Sequence, residues 1–256
     1  MKKGIHIIGS SILLVSLCLI VNASETRPQK KDIPMETKQE FLKAVTEGNE
    51  AKVRELLKTN RALAGITDEK GVSALLQAVY NGRGKVAEIL IASGLKLNIF
   101  EASAAGQTRR ARALLKANRK LANEFSPDGF TPLGLASFFG HLDTVELLLN
   151  SGAQINVPSK NFLKAVPLRS ASVAGHFEIA KLLIDRGADV NALGEGDYTS
   201  LHEVAGVGRI EFAKLLLDHG ANINARGDSG KTPLTVALEN KKTEMAEFLR
   251  GRGGVE

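Results

Sequence analysis

The chain has 256 residues, of which 43% are apolar and 24% are charged, and its formal net charge is +6. This composition is that of an ordinary globular protein and excludes a disordered chain. Loss of a predicted leader that contains Lys2 and Lys3 would lower the charge to +4, too little over this length to indicate a nucleic-acid-binding protein.

The first 23 residues have the pattern of a secretory signal peptide. Two lysines precede an apolar run over residues 7–21, and the run ends in the small-residue pattern Val21-Asn22-Ala23. We therefore expect cleavage after Ala23 and a periplasmic or secreted protein. An uncleaved membrane anchor is the alternative, although the run is shorter than the roughly 20 residues that span a bilayer.

Cys18 is the only cysteine, and it lies inside the predicted leader 1–23. A lipoprotein attached through Cys18 is a second alternative, but Leu17 precedes the cysteine where a small residue is expected. Cleavage after Ala23 would leave a mature chain without a disulfide or a thiolate metal site. The polar stretch 24–36 contains two prolines and no helical periodicity, so it predicts a flexible linker.

A repeat of about 33 to 35 residues organises the rest of the chain. Four leucines mark it, each just after Thr-Pro, Val-Pro or Thr-Ser: Leu133, Leu168, Leu201 and Leu234. Seven residues further on stand Gly140, Gly175 and Gly208, with Lys241 in the last copy. Carried backwards, the spacing finds Leu75 with Gly82 and two degenerate copies, Phe41 with Gly48 and Ile99 with Gly106. Seven units of this size predict stacked repeats rather than one globular core.

Each unit predicts a turn, a short helix, a second turn and a longer helix. In the clearest copy Thr232 is placed as an N-cap and Pro233 at the first helical position, where no N–H is needed. Leu234 and Ala237 then share one face of the first helix. Glycines suited to the left-handed C-terminal position follow the helices elsewhere: Gly140 and Gly208 the first, Gly152 and Gly220 the second.

The turn and first-helix residues read Asp228-Ser229-Gly230-Lys231-Thr232-Pro233-Leu234 and Asp197-Tyr198-Thr199-Ser200-Leu201-His202, and the links between units read Gly-Ala-Asn-Ile-Asn or similar. These residues resemble the ankyrin repeat family over about residues 37–254. The resemblance implies an all-α solenoid of about seven stacked helix-turn-helix repeats with short β-hairpin loops. The units lie near 37–66, 67–97, 98–124, 125–157, 158–192, 193–225 and 226–254.

Two irregularities interrupt the pattern. The step from Leu75 to Ile99 is only 24 residues, so the hairpin before Ile99 should be missing or shortened. An insertion is expected around residues 158–164. Both departures affect local stacking and leave the fold unchanged.

No catalytic motif is present: the sequence lacks Gly-x-Ser-x-Gly, a Gly-rich phosphate loop and His-Glu-x-x-His. We therefore predict no enzyme activity, no cofactor and no metal site, and keep an enzyme with a hidden pocket as the competing hypothesis. The resemblance implies that His141, His176 and His202 bond to backbone in turns. His219 lies near the end of a second helix, where the helix dipole would stabilise a charged imidazole.

Six basic residues give residues 109–120 a positive face: Arg109, Arg110, Arg112, Lys116, Arg119 and Lys120. The only acids nearby in sequence are Glu101 and Glu124. This run predicts either a solvated helix face or a surface for an acidic partner, and both readings stay open.

The aromatic residues fall at repeat positions that stacking does not require, on the hairpin and the inner face of the first helix. The predicted anchors are Tyr80, Phe130, Phe138, Phe139 and Tyr198, and the predicted polar rim is Asp128, Arg169, Asp197 and Lys231. Aromatic side chains, and Tyr above all, are favoured at interface hot spots because they offer large contacts at low entropic cost.

The resemblance implies a non-enzymatic scaffold that binds another protein through its concave surface, as a monomer. We expect no nucleic-acid partner, and membrane contact only through an uncleaved leader. Three specific roles remain open: an immunity-type inhibitor, an accessory protein of an envelope enzyme, or a secreted effector directed at a host protein.

Overall fold

The computed structural model describes residues 33–256, and this part of the chain folds into fourteen α-helices in seven successive pairs. The predicted leader and nearly all of the predicted linker lie outside the described residues. The first helix begins at Met35, so the last two residues assigned to the linker 24–36 are helical.

The helices are α1 (Met35–Glu47), α2 (Glu50–Thr59), α3 (Ala74–Tyr80), α4 (Gly84–Ala92), α5 (Ile99–Ala104), α6 (Thr108–Ala117), α7 (Pro132–Phe138), α8 (Leu142–Asn150), α9 (Pro167–Ala174), α10 (Phe177–Asp185), α11 (Ser200–Val207), α12 (Ile210–Asp218), α13 (Pro233–Glu239) and α14 (Thr243–Gly251). Three short 3-10 helices accompany them: Arg61–Gly65, Arg119–Asn123 and Glu195–Asp197.

The odd-numbered helices form one continuous row in which each helix contacts the next, from α1 to α13. The second helices form another row, in which α2 contacts α4, and α8 contacts both α6 and α10. The repeat leucines fill the space between units and are fully buried: Leu75, Leu133, Leu168, Leu201 and Leu234. Because each unit covers the apolar face of its neighbour, the core is a chain of contacts between units, as the sequence predicts.

Local sequence sets the helix boundaries in the predicted way. The Thr232 hydroxyl accepts a hydrogen bond from the Thr235 N–H, and Pro233 occupies the first turn of α13. Gly140 and Gly208 adopt left-handed φ angles of 81° and 80° after their helices. Lys241 has a φ of 55° at the same repeat position, where its Cβ makes this conformation costly.

We expect Lys241→Gly to raise the free energy of unfolding by about 0.5–1 kcal/mol, because relief of the left-handed strain exceeds the extra entropy of glycine in the unfolded chain. Urea unfolding followed by circular dichroism measures it. The neighbouring Lys242, with a φ of –91°, provides the control: Lys242→Gly should not stabilise. Equal effects of the two substitutions would contradict the strain at Lys241.

The residue after the repeat glycine reaches back to the preceding unit at four places in the stack. The imidazole Nε2 of His141 lies 3.0 Å from the Ala104 carbonyl oxygen, and that of His176 lies 3.0 Å from the Phe138 carbonyl oxygen. Arg83 and Arg209 make the corresponding bonds in other units. The His176 ring passes close to Gly140 of the preceding unit. A Cβ added at Gly140 would lie 2.5 Å from His176 Cε1. The glycines are thus needed for this approach as well as for their φ angle.

A ladder of asparagines links the other end of the units. The Asn191 Nδ2 donates to the Gly220 carbonyl at 3.0 Å, and the Asn222 N–H donates to Asn191 Oδ1 at 2.8 Å. The same double bond to the next unit recurs at three further positions: Asn123, Asn156 and Asn224. Each amide therefore satisfies a helix-end carbonyl and a loop N–H of its neighbour.

Asn191→Ala should lower the free energy of unfolding by about 1–2 kcal/mol, because it removes two hydrogen bonds between units. Chemical unfolding of the parent and the variant gives the value. Asn81→Ala is the matched control, since that side chain bonds only to the Gln77 carbonyl of its own helix. A loss no larger at position 191 than at position 81 would show that the ladder does not stabilise the stack.

The connecting loops are closed turns without regular strands in residues 33–256, which corrects the expectation of β-hairpins. Each loop is closed by a backbone bond across its neck, for example from Asp68 N–H to the Val72 carbonyl at 3.0 Å and from Gly227 N–H to the Lys231 carbonyl at 3.0 Å. A single isolated bridge, Thr67–Ser73, is formed in this part of the chain. Neighbouring loops also bond to each other, for example from Lys160 N–H to the Gly129 carbonyl at 2.8 Å.

The two irregularities appear at the expected places. Residues 93–98 alone connect α4 to α5, so no hairpin projects there, and the loops on either side become neighbours. A Cβ on Gly71 would lie 3.1 Å from Pro127 Cβ, although these loops belong to units two and four. The α8–α9 connection, residues 151–166, is two residues longer than the α10–α11 connection, residues 186–199.

Candidate protein-binding groove

A groove of about 540 Å³ lies on the face formed by the first helices and the loops. We call it the aromatic groove. Its apolar wall includes Tyr80, Phe130, Leu135, Phe138, Phe139 and Val173. Toward the sixth unit it is lined by the charged side chains of Arg169, Glu195 and Glu203. Its volume falls in the range of ligand pockets and is sufficient for several side chains of a peptide.

Four of the five predicted aromatic anchors meet in this groove. The Tyr80 and Phe139 rings stack with centroids 5.9 Å apart and an interplanar angle of 8°. Tyr80 also meets Phe130 edge-on at 6.5 Å, and Phe138 meets Phe139 edge-on at 5.1 Å. Offset-stacked and edge-to-face pairs of this kind add to the stabilisation that burial provides.

The third unit allows these rings to meet although they come from units two and four. Ala104 occupies the position in α5 that Tyr80 occupies in α3 and Phe138 in α7, five residues after the repeat apolar residue. Its small side chain is buried and leaves room above it. The absence of a hairpin before α5 removes the loop that would separate Tyr80 from Phe130.

The expectation that the aromatic positions are not needed for stacking is wrong for two residues. Phe130 and Phe139 pack against a buried cluster that comprises Val72, Leu76, Ala104 and Leu135. Phe138 is the most exposed ring of the groove, at 45%, and Tyr80 follows at 37%. Packing therefore fixes one side of the aromatic wall, while Phe138 presents its free surface to the groove.

Asp128 does not line the aromatic groove, but it holds Tyr80 of the groove wall in place. The Tyr80 hydroxyl donates to Asp128 Oδ2 at 2.8 Å. Burial, reinforced by the charge of Asp128 and this bond, raises the pKa of Tyr80, so its hydroxyl stays protonated. The Asp128 carbonyl also accepts a bond from Asn161 Nδ2 at 2.9 Å. This predicted rim residue thus positions an anchor and joins two loops.

Arg169 is buried, with 8% of its surface exposed, which corrects its prediction as a rim residue. It follows the buried Leu168 on α9, and the longer loop that precedes α9 covers it. Its Nη1 donates to the Leu163 carbonyl at 2.7 Å, its Nε donates to Glu203 Oε1 at 3.1 Å, and its Nη2 bonds to the same oxygen. The guanidinium therefore ties the inserted loop to α11.

A second groove of about 520 Å³ continues from the first, and we call it the polar groove. Arg169, Glu195 and Glu203 line both grooves. Tyr198, the fifth predicted anchor, lies here and not in the aromatic groove. Its ring stacks on His202 with centroids 4.7 Å apart and an interplanar angle of 7°.

The two remaining rim predictions, Asp197 and Lys231, lie at the loops beside the polar groove. Asp197 is exposed. Lys231 forms an ion pair with Glu239 at 2.7 Å, and this hydrogen bond raises the pKa of the lysine. Neither residue lines either groove.

His202 is a structural side chain, as the resemblance implies. The Thr199 N–H donates to its Nδ1 at 3.1 Å, so Nδ1 is an acceptor and the ring proton lies on Nε2, which donates to the Lys231 carbonyl at 3.1 Å. Burial is the main cause that lowers the pKa of His202, and also of His141. Protonation would replace the Nδ1 acceptor by a donor facing the Thr199 N–H.

The basic run spans α6 and the 3-10 helix that follows it, and it is less free than its sequence predicts. The Arg110 Nε donates to the Leu97 carbonyl at 2.8 Å, and Arg119 Nη2 donates to the Asn150 carbonyl at 3.3 Å. Asp143 and Glu146 of α8 line the same small cleft as Arg112, so acids that are distant in sequence lie beside the run in space. Glu101 itself is buried in the cap of α5, where it accepts the Asn98 N–H at 2.8 Å.

Within residues 33–256 no three His, Cys, Asp or Glu side chains are grouped so that they could hold a metal ion. None of the helices described there is long and apolar enough to cross a membrane.

The sequence matches the family of ankyrin repeats (3 copies) over residues 44–159, 99–194 and 168–255. These matches cover most of the chain. The chain belongs to the ankyrin repeat family. No curated protein matches it significantly. Ankyrin repeats are generic protein–protein interaction modules, and proteins built from them are typically non-enzymatic scaffolds.

In this ankyrin repeat protein, sequence reasoning missed the acidic lining of the two grooves. Glu195 and Glu203 contribute to both, and Asp228 lines the polar groove. The available signal was the opposite charge of Arg169 and Glu203, which stand one and two residues after the repeat leucines Leu168 and Leu201 of consecutive units. The first helices that carry them, α9 and α11, pack against each other.

The free energy of unfolding should fall as the pH is lowered from 7.5 to 5.5, because the lowered pKa of His202 makes the unfolded chain bind more protons than the folded chain near pH 6.5. His202→Gln should reduce this pH dependence. Urea unfolding at several pH values measures it. His219→Gln removes an exposed histidine as the control, and equal reduction by both variants would contradict a specific role of the buried imidazole.

Proposed function

We propose that this ankyrin repeat protein is a non-enzymatic binding protein that holds a segment of another protein in the aromatic groove. One observation carries the proposal: four aromatic rings from units two and four converge on an apolar groove of about 540 Å³ that is open to solvent. Interface hot spots are enriched in such aromatic side chains and lie in pockets from which water is excluded.

The groove is arranged before a partner binds. The Phe139 and Phe130 rings are held by the buried cluster beneath them, and the Tyr80 ring is held by its bond to Asp128. Side chains that are already ordered lose little conformational entropy on binding, so more of the contact energy contributes to affinity. Phe138 is the principal anchor because 45% of its surface is free to be covered.

The buried ion pair of the groove has a structural role rather than a catalytic one. Glu203 is engaged by two donors of Arg169, and the remaining guanidinium bond goes to the Leu163 carbonyl. An acid–base mechanism needs titratable groups that are free to exchange protons with a bound substrate. This ion pair instead serves to hold the inserted loop against α11.

The location of the protein is part of the same proposal. The two-lysine start, the apolar run and the Val21-Asn22-Ala23 ending support export to the periplasm or outside the cell, with cleavage after Ala23. Within that setting the bound protein is a toxin or an envelope enzyme that this chain inhibits or assists, or a host protein that it reaches after secretion. All three roles use the same groove.

Affinity capture from a cell-envelope extract tests the proposal. Phe138→Ala should reduce the amount of the captured partner by about tenfold, equivalent to about 1.4 kcal/mol of lost binding energy. The helical circular dichroism should remain that of the parent and the unfolding midpoint should fall only slightly, since 45% of the Phe138 surface is exposed.

Leu142→Ala is the matched control, because Leu142 is an exposed apolar side chain at the start of α8, outside both grooves. It should capture as much partner as the parent. A partner captured equally by the Phe138→Ala variant would place the binding surface elsewhere. A large fall in the unfolding midpoint would instead make Phe138 a core residue.

A further inference from the structure

We infer that the partner segment is an extended peptide of mixed apolar and basic character, whose bulky apolar side chain occupies the aromatic groove and whose lysine or arginine occupies the polar groove. The inference rests on the proposed function, since it names the chemistry of the segment bound there. It depends on the continuity of the two grooves and on their charge.

The two grooves adjoin along consecutive units. Arg169, Glu195 and Glu203 line both of them, so the apolar groove and the polar groove meet at these three residues. The Arg169 guanidinium is buried below this junction and forms its floor. A peptide that crosses the junction would pass from the Phe138 ring toward Tyr198.

The charge along this path is negative. The positive charge of Arg169 is compensated by Glu203, with which it forms a buried ion pair. Glu195 and Asp228 are exposed, and within residues 33–256 neither forms an ion pair with a basic side chain. Two uncompensated carboxylates therefore remain, on a chain whose formal net charge is +6.

These carboxylates are carried by loops that are bonded to each other. The Glu195 N–H donates to the Leu163 carbonyl at 3.0 Å, and the Asp228 N–H donates to the Gly196 carbonyl at 3.0 Å. The loop backbones are thus positioned before a partner arrives. A lysine or arginine of the peptide would form charge-assisted bonds to the carboxylates, which are stronger than bonds between neutral groups.

The same charges select against other partners. An acidic peptide would face Glu195 and Asp228, and Arg169, which is the basic side chain among the residues that line the two grooves within residues 33–256, is already paired. Like charges brought together across an interface cost several kcal/mol, so an acidic segment is disfavoured. The apolar wall at Phe138 favours a bulky side chain over a wholly polar, basic segment.

Selection from a library of random peptides displayed on phage tests the inference with the full chain. The parent should enrich peptides that combine a large apolar residue with a lysine or arginine a few positions away. A Glu195→Lys/Asp228→Lys variant should lose these peptides and enrich acidic ones. A synthetic peptide taken from the parent selection should bind this variant at least about tenfold more weakly.

Asp143→Lys/Glu146→Lys is the matched control, because it changes the net charge by the same amount at exposed positions on α8, outside both grooves. It should select the same peptides as the parent. Circular dichroism should show the same helical content in all variants, so that loss of binding does not reflect unfolding.

The outcomes separate this inference from the proposed function. Suppose that the parent selects apolar peptides without an excess of basic residues, and that the Phe138→Ala variant no longer selects them. This result would overturn the inference and leave the binding role of the aromatic groove intact. An excess of acidic residues would overturn the inference as well. Enrichment that is unaffected by Phe138→Ala, or no enrichment at all, would contradict both.

Discussion

Contact between adjacent units in a fixed register is the constraint on which the structure depends. Buried leucines such as Leu133 and Leu168 supply the apolar surface, but they do not determine how far one unit slides along the next. The polar bonds do: His176 reaches the Phe138 carbonyl at one end, and Asn191 joins Gly220 and Asn222 at the other. Both sets of bonds require a small residue or a left-handed backbone at the point of contact. The positions of the glycines and the register of the stack therefore depend on each other.

The groove arises where the repeat departs from its own pattern. The third unit lacks a hairpin and carries Ala104 where its neighbours carry Tyr80 and Phe138, so rings from units two and four approach each other across it. The longer loop before α9 then covers Arg169 and adds Leu163 to the wall. In a regular array, the hairpin of each intervening unit would have kept these side chains apart.

Stability and the proposed binding share residues in this groove. Phe130 and Phe139 close the buried cluster beneath them and also form part of the wall, so replacing either would affect folding as well as the proposed recognition. Phe138 separates the two effects, because nearly half of its surface contributes to neither the cluster nor the stack. The carboxylates of Glu195 and Asp228 belong to the loops and add charge to the path without taking part in the core.

The sequence by itself determined the fold, because caps, helix-ending glycines and the spacing of leucines are local or periodic properties that act within one unit. It also placed most of the predicted anchors on one surface, since Tyr80, Phe130 and Phe138 occupy repeat positions that face it. Only the tertiary structure decided that Arg169 is buried, that Tyr198 lies in the adjoining polar groove, and that Tyr80 bonds to Asp128. These contacts join residues from different units. The loops between the units set the distances between these residues, and the repeat period of the sequence does not encode those distances.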